Sequence, residues 1–282
     1  MMLRDTGPEA ATLQRSHGEA KVAIAMRGGR AALSGLYQRG SAKAFLPLGG
    51  GAPAEVVFLN TSGGLTGGDS LRFSLTVAPD LALTATTQTA ERAYAASSGQ
   101  AMVEVALDVA QAGRLDWLPQ ETILFENSHL HRRTTITLAA DANCLMAETL
   151  VLGRHAMGET LSAARLIDRR QILRGGRPVW SDTLALGPGA LTDRSLPALL
   201  GAARCYAVIA FVAQGAEDAA PALRPLLPNP DCDTAVSAWN GRLILRLAAP
   251  DLWPLKQQMA RLLSQLRGRP LPRVWQMNGD IA

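Results

Sequence analysis

The segment Asn60-Thr61-Ser62-Gly63-Gly64-Leu65-Thr66-Gly67-Gly68-Asp69-Ser70 carries the residue types and spacing most suggestive of chemistry. Gly63 and Gly68, followed by Ser70, imitate the spacing of a phosphate-binding loop, in which a lysine before the hydroxyl residue meets the β- and γ-phosphates. Asp69 stands where that lysine belongs, and its carboxylate would repel phosphate. No G-x-G-x-x-G occurs, so a dinucleotide site has no support either. Glycines at 63, 64, 67 and 68 instead allow positive φ and close backbone approach. Asn60, Thr61, Ser62 and Asp69 can hydrogen-bond the amides of such a tight turn. The segment therefore reads as a rigid corner between strands, with Asp69 also a candidate for facing a polar channel.

Nucleophilic catalysis has little basis. There is no G-x-S-x-G elbow, and no local signature joins Cys144, Cys205 or Cys232 to a histidine. His129-Leu130-His131 would place two imidazoles on one face of a strand. Glu148, His155 and Glu159 form a second candidate set, with Arg154 among them. Neither set offers three or four ligands at the spacing of a tight site. Both are compatible with satisfied surface residues, or with a loose path for a borderline divalent ion.

The elements that must position these groups are mostly strands. Leu71, Phe73, Leu75 and Val77 alternate with polar residues, as do Val103, Val105, Leu107 and Val109, and Arg133 to Ala139 continues the pattern. Lys21 to Gly51 reads as short strands and loops broken by glycines, and Tyr206 to Val212 as a buried strand. Asn240-Gly241 between Ala235–Trp239 and Leu243–Leu247 signals a hairpin. The best helix carries Leu255, Met259, Leu262, Leu263 and Leu266 on one face, with Asp251 and Pro254 to start it and Gly268 to stop it. Glu217 to Leu227 is helix-like but interrupted by Pro221 and Pro225. One mainly β domain over 1–282 is expected, with its few helices near the C-terminus and residues 1–19 a poorly ordered leader.

Composition limits the alternatives. Of 282 residues 48% are hydrophobic and 18% charged, enough for a sizeable core and against wholesale disorder. The most basic stretch, with Arg165, Arg169, Arg170, Arg174 and Arg177, contains no aromatic residue for base stacking. It reads as a solvated strand face or a contact for an acidic protein, and not as a nucleic-acid site. An odd number of cysteines, three without a CxxC, points to reduced thiols in the cytoplasm. Met1 to Ala20 lacks a signal-peptide apolar core, and no apolar run is long enough for a membrane span.

Asn60 to Asp69, NTSGGLTGGD, resembles the signature of the UreD (UreH) family of urease accessory proteins. Further segments resemble that family in the same order. They are Thr86-Thr87-Gln88 with Tyr94, Leu118-Pro119 through Ile123 and Phe125, Gly153-Arg154-His155-Ala156-Met157-Gly158-Glu159, and Pro272-Arg273-Val274-Trp275. One departure is visible: where relatives carry "ATK", this chain has Ala90-Glu91-Arg92.

The resemblance implies a β-dominated scaffold of many short strands in a stacked or helical sheet arrangement. It implies a non-catalytic scaffold that binds apo-urease and recruits UreF, which docks the GTPase UreG. Nickel would be cargo in transit to urease, with no cofactor tightly bound. Candidate channel-lining groups at motif positions are Asp69, Glu148, His155 and Glu159, and the remaining motif residues Asn60, Thr61, Ser62, Gly63, Gly64, Gly67, Gly68, Gly153, Arg154, Gly158, Pro272, Arg273 and Trp275 would be structural. A binding module for another protein and a small-molecule enzyme are the competing classes; the enzyme would need a polar catalytic cluster that the sequence does not display.

Overall fold

The computed structural model describes residues 14–47, 54–154, 157–196, 199–276 and 281. The chain runs through β1 (His17–Arg27), β2 (Arg30–Arg39), β3 (Ala42–Phe45), β4 (Ala54–Asn60), β5 (Ser70–Val77) and β6 (Ala82–Thr87). It continues through β7 (Glu91–Ala93), β8 (Ala101–Val109), β9 (Arg114–Trp117), β10 (Thr122–Leu124), β11 (His129–Leu138) and β12 (Asn143–Leu152). The remaining elements are β13 (Arg165–Arg174), β14 (Arg177–Leu186), α1 (Pro188–Thr192), β15 (Cys205–Val212), α2 (Ala220–Leu223), β16 (Asp233–Trp239), β17 (Arg242–Ala249) and α3 (Leu252–Arg267).

Short β7 and β10 aside, strands from β4 to β13 fall alternately into two facing sheets, so the chain winds as a solenoid. The first sheet has the order β14-β13-β11-β8-β5-β1-β2; the second runs β16-β17-β15-β12-β9-β6-β4-β3. Pairing is parallel from β1 through β5, β8 and β11 to β13, and from β4 through β6 and β9 to β12. Antiparallel strands flank both parallel runs.

The period-2 alternation sends one face of each strand into the space between the sheets. Val22, Leu75, Leu107, Ile136 and Ile172 form one inward row across the first sheet, each in register with the next. Together with Val56, Phe58, Trp117 and Met146 of the second sheet, that row belongs to the main core. β12 and β15 read as continuous apolar runs because both of their faces are covered. Cys144, Met146, Leu150 and Leu152 face the main core, whereas Leu145, Ala147 and Val151 face a second core under α3.

α3 packs Leu255, Met259, Leu262 and Leu263 on the outer face of the second sheet. Asp251 caps its start, accepting a hydrogen bond from Trp253 N at 3.2 Å, and Gly268 ends it at φ 63°. Between Ala216 and Leu226 the chain forms short 3-10 and α pieces instead of one helix, as the two prolines require. Asn240 and Gly241 turn the β16–β17 hairpin at φ 46° and 74°, the pair of positive angles a tight type I′ turn needs.

Three expectations are corrected. The leader ends earlier than Glu19, because β1 begins at His17; residues 1–13 lie outside the described residues. The first strands are not short: β1 and β2 have 11 and 10 residues, joined through Gly28-Gly29. The basic stretch is not wholly a solvated face, since Arg170 is buried between the sheets and Arg174 donates to the carbonyls of Ala140 and Ala142. Arg165, Arg169 and Arg177 are exposed. Among the described residues, no helix is long and apolar enough to cross a membrane.

Candidate functional site

The glycine segment joins β4 to β5 as a tightly fixed corner. Asp69 is buried; its Oδ1 accepts from Ser16 N and its Oδ2 from Thr66 N, both at 2.8 Å. Asn60 Oδ1 accepts from Ser62 N at 3.1 Å and from Ser62 Oγ at 2.7 Å. Thr61 donates through both its amide and its hydroxyl to Ser41 O. The amides of Leu65, Gly68 and Asp69 are engaged by Arg92 O, Gln100 O and Thr66 O, so they are not offered to a phosphate. A Cβ on Gly64 would stand 2.3 Å from the Tyr94 ring, and one on Gly67 only 2.1 Å from Ser98 O. The absence of side chains at these positions is a packing requirement.

Beside this corner a narrow cavity of about 70 Å³ enters the space between the sheets. Asn60, Gly63, Gly64, Glu91 and Arg92 line it near the corner, and Thr122, Arg132 and Glu148 line its inner part. Sheet register explains the change of character. Gly18, Leu71 and Val103 share an inward row with Arg132 and Asp168, while Ala20, Phe73 and Val105 share one with Thr134, Arg170 and Asp182. Each row begins apolar and turns polar near β11.

The polar ends of those rows meet Glu148 from the opposite sheet. Glu148 accepts from Thr134 Oγ1 at 2.7 Å, Trp117 Nε1 at 3.1 Å and Arg170 Nε at 2.8 Å, and lies 3.3 Å from Arg132 Nη2. Arg132 donates twice to Asp168, at 2.9 and 2.5 Å, and once to Thr122 Oγ1 at 2.8 Å. Arg170 also donates to Asp168 and Asp182, and Arg246 joins Asp182 at 2.9 Å. Burial alone would raise the Glu148 carboxyl, but Arg132 and Arg170, with the Thr134 hydroxyl, hold it down at about 2. Glu148 is therefore an anion whose charge is already matched.

Glu91 behaves differently. On β7 it is in register with Thr122 of β10, and among the described residues its two oxygens accept only from Asn60 Nδ2, each at 3.3 Å, and from Arg92 N at 3.2 Å. Burial pushes its carboxyl up to about 7, against the lowering effect of the Asn60 amide and of Arg92.

The remaining motifs brace this region. Glu159 accepts from Glu126 N, Arg154 N and the Arg154 guanidinium, whose hydrogen bond is the main cause holding its carboxyl at about 2. Arg154 stacks 4.7 Å from the centre of Phe125, which meets Tyr94 edge-on at 4.9 Å. Trp275 donates to Leu118 O at 2.9 Å, an acceptor shared with Thr86 Oγ1 at 2.6 Å. Gly153 and Gly158 adopt positive φ, and Arg273 opens the 3-10 turn that carries Trp275.

Of the three described residues expected to line a channel, Asp69, Glu148 and Glu159, Glu148 is the one placed on the cavity wall. Asp69 is engaged by the amides of Ser16 and Thr66, and Glu159 by the Glu126 amide and Arg154; His155 lies outside the described residues. His129 and His131 share the outer face of β11, with ring centres 5.8 Å apart. Burial, His129 and Arg169 lower the His131 pKa. Among the described residues no three His, Cys, Asp or Glu side chains converge as a metal-holding group. All three cysteines are free and buried, and burial pushes the Cys144 and Cys205 thiols up to about 12. Sequence reasoning missed Arg132, Asp168 and Arg170 as site residues. Their signal was polar residues at inward positions of otherwise alternating strands, between Leu130 and Ile136 and between Leu166 and Ile172. In the sequence, Glu91 stands out only as a departure from a motif.

The family profile described as UreD urease accessory protein matches residues 16–276. A urease accessory protein UreD of Cereibacter sphaeroides is 55% identical over 269 residues, covering 95% of this chain and 98% of that protein. Its namesake in Paracoccus denitrificans is 48% identical, with 94% of each chain covered. That of Rhizobium leguminosarum bv. trifolii is 39% identical, covering 94% of this chain and 96% of its own. With its motif corner, its inward-facing charges and its C-terminal helix all inside the matched span, the chain belongs to the UreD family of urease accessory proteins.

Proposed function

We propose that this chain is a non-catalytic urease maturation factor of the cytoplasm that binds apo-urease and, with UreF and the GTPase UreG, assists nickel insertion. The observation that carries the mechanistic part is the cavity running from the family's glycine corner to Glu148. A metallocentre buried in a folded enzyme fills poorly from free ions, because the affinity order favours competing metals. An enclosed route with weak oxygen ligands selects by access, and weak binding lets the ion leave. On this reading Glu148 lines the route directly. Asp69 and Glu159 serve it by fixing its rim, Asp69 through the corner and Glu159 through Arg154 and Phe125. His155 remains a softer candidate ligand in the same motif.

The test is deletion of the gene in a urease-positive host, with urease activity and the nickel content of purified urease as readouts. Nickel-poor apo-urease, restored by adding the protein back, is the expected result; fully active, nickel-replete urease would reject the role. Complementation with Asp69→Ala, Glu148→Ala and Glu159→Ala then tests the route. Normal activation by all three folded variants would overturn it.

A further inference from the structure

At the N-terminal end of the stack the two sheets are unequal. The first sheet ends in β2, which has 10 residues, and the second in β3, which has 4. Register sets Leu36 beside Val22 and Leu33 beside Ile24, both of which face the core, and Met26 alternates onto the same face. Val22 and Ile24 are buried, yet Met26, Leu33 and Leu36 are 45%, 38% and 47% exposed. The end of the first sheet thus overhangs, with a cluster of large apolar side chains turned to solvent.

β2 is also an open edge. Among the described residues its backbone makes no hydrogen bonds beyond the ladder with β1, which leaves a row of N–H and C=O groups able to pair with an added strand. Three arginines frame this edge. Arg27 and Arg30 stand opposite each other at the hairpin end, where like charges repel, and Arg39 stands at the far end. All three are exposed, and none forms an ion pair among the described residues. Glu19, in register with Arg39, is taken by Lys21 at 3.0 Å, with Arg72 at 3.8 Å.

We propose that β2 docks an extended segment of a protein partner, apolar in its middle and acidic at both ends, which joins the first sheet as a further strand. The proposal rests on the maturation reading for the proteins that could supply this segment. Main-chain pairing would give the attachment, and the apolar middle would cover Leu33 and Leu36. Carboxylates at the ends would relieve the Arg27–Arg30 repulsion and meet Arg39. Charge argues against a second copy as the occupant. An antiparallel pair of β2 strands that set Leu33 against Leu36 would also set Arg30 against Arg39 at both ends. A bulge that leaves Ser34 without a partner on β1 makes the edge a poorer template for unspecific pairing still.

The experiment uses the purified full-length chain, with purified apo-urease and purified UreF as separate probes. Capture is measured, and backbone hydrogen exchange is read on each complex that forms. Exchange across Arg30–Arg39 is expected to slow on binding. Capture should weaken about tenfold or more in the double variant Leu33→Ser, Leu36→Ser and in Arg30→Glu, the scale of a principal interface contact. Arg30→Glu sets an opposite charge against Arg27, so it should melt no lower than wild type; a merely structural role for Arg30 would not join an intact fold to lost capture. Unchanged capture by the folded variants, or unchanged exchange across β2, overturns the proposal. A dimer of the free chain with β2 already protected overturns it too, by making a second copy the occupant. Capture of neither protein by wild type would refute the maturation reading itself, whereas normal capture by the variants refutes this proposal alone.

Discussion

Glu148→Gln keeps the shape of the side chain while removing its charge from the centre of the ion cluster. Among the described residues, Arg132, Arg170 and Arg246 then keep Asp168 and Asp182 as carboxylate partners, and Arg132 and Arg170 lose a shared acceptor. Removing one partner from a buried ion pair costs about 3–5 kcal/mol. The lowering of the Glu148 carboxyl to about 2, from 4.5, by Arg132 and Arg170 has the same sign. A loss of that size should lower the melting temperature by roughly 6–20 °C in a chain of this length. Urea unfolding at neutral pH, read by tryptophan fluorescence, measures it directly. The sign of the pH dependence follows from the lowered pKa. The stabilisation is complete above the unfolded value of 4.5 and is lost as pH falls towards about 2, so the gap between wild type and variant narrows over that interval. A gap below about 1 kcal/mol at neutral pH, or one that widens on acidification, refutes the reasoning.

Gly67→Ala should destabilise the chain more than Gly63→Ala, because a Cβ at 67 meets backbone at 2.1 Å whereas nothing lies within 4 Å at 63, where only the left-handed φ is strained; urea midpoints rank the two. Asp251→Ala should cost about 0.5–2 kcal/mol through loss of the α3 cap, seen as a lower midpoint with the m-value unchanged. Glu91 has a raised folded pKa of about 7, so its ionisation opposes folding as pH climbs from 4.5 through 7. Glu91→Gln should therefore be more stable than wild type above that range and show no such advantage below it; equal pH profiles in denaturation would count against the burial of this carboxyl.

The fold was legible wherever a rule acts locally. Alternation in Leu71–Val77 and Val103–Val109, the Asn240-Gly241 turn, and the α3 stripe with its Asp251 and Gly268 ends all depend on neighbours within a few residues. The candidate site was less legible because it is made by stacking turns of a solenoid. Arg267 reaches Asp116 across 151 residues, and Glu148 meets Arg132 and Arg170 only because β12 lies opposite β11 and β13. Asp69 shows the converse. Its position beside motif glycines suggested a lining role, yet its oxygens are directed at Ser16 and Thr66 within the corner.

The aliphatic rows between the sheets carry almost no information about which rung faces which. Val22, Leu75, Leu107, Ile136 and Ile172 are close to interchangeable, and a two-residue slide of one strand keeps every side chain on its own face. Such a slide of β13 against β11 would instead set Arg170 beside Arg132, in place of the present Asp168. Two like charges stranded in a dry interior make the misaligned stack far worse than the aligned one. The charges gathered at the inner part of the cavity thus act as a key, accepting one alignment of the coils during folding and rejecting its near neighbours.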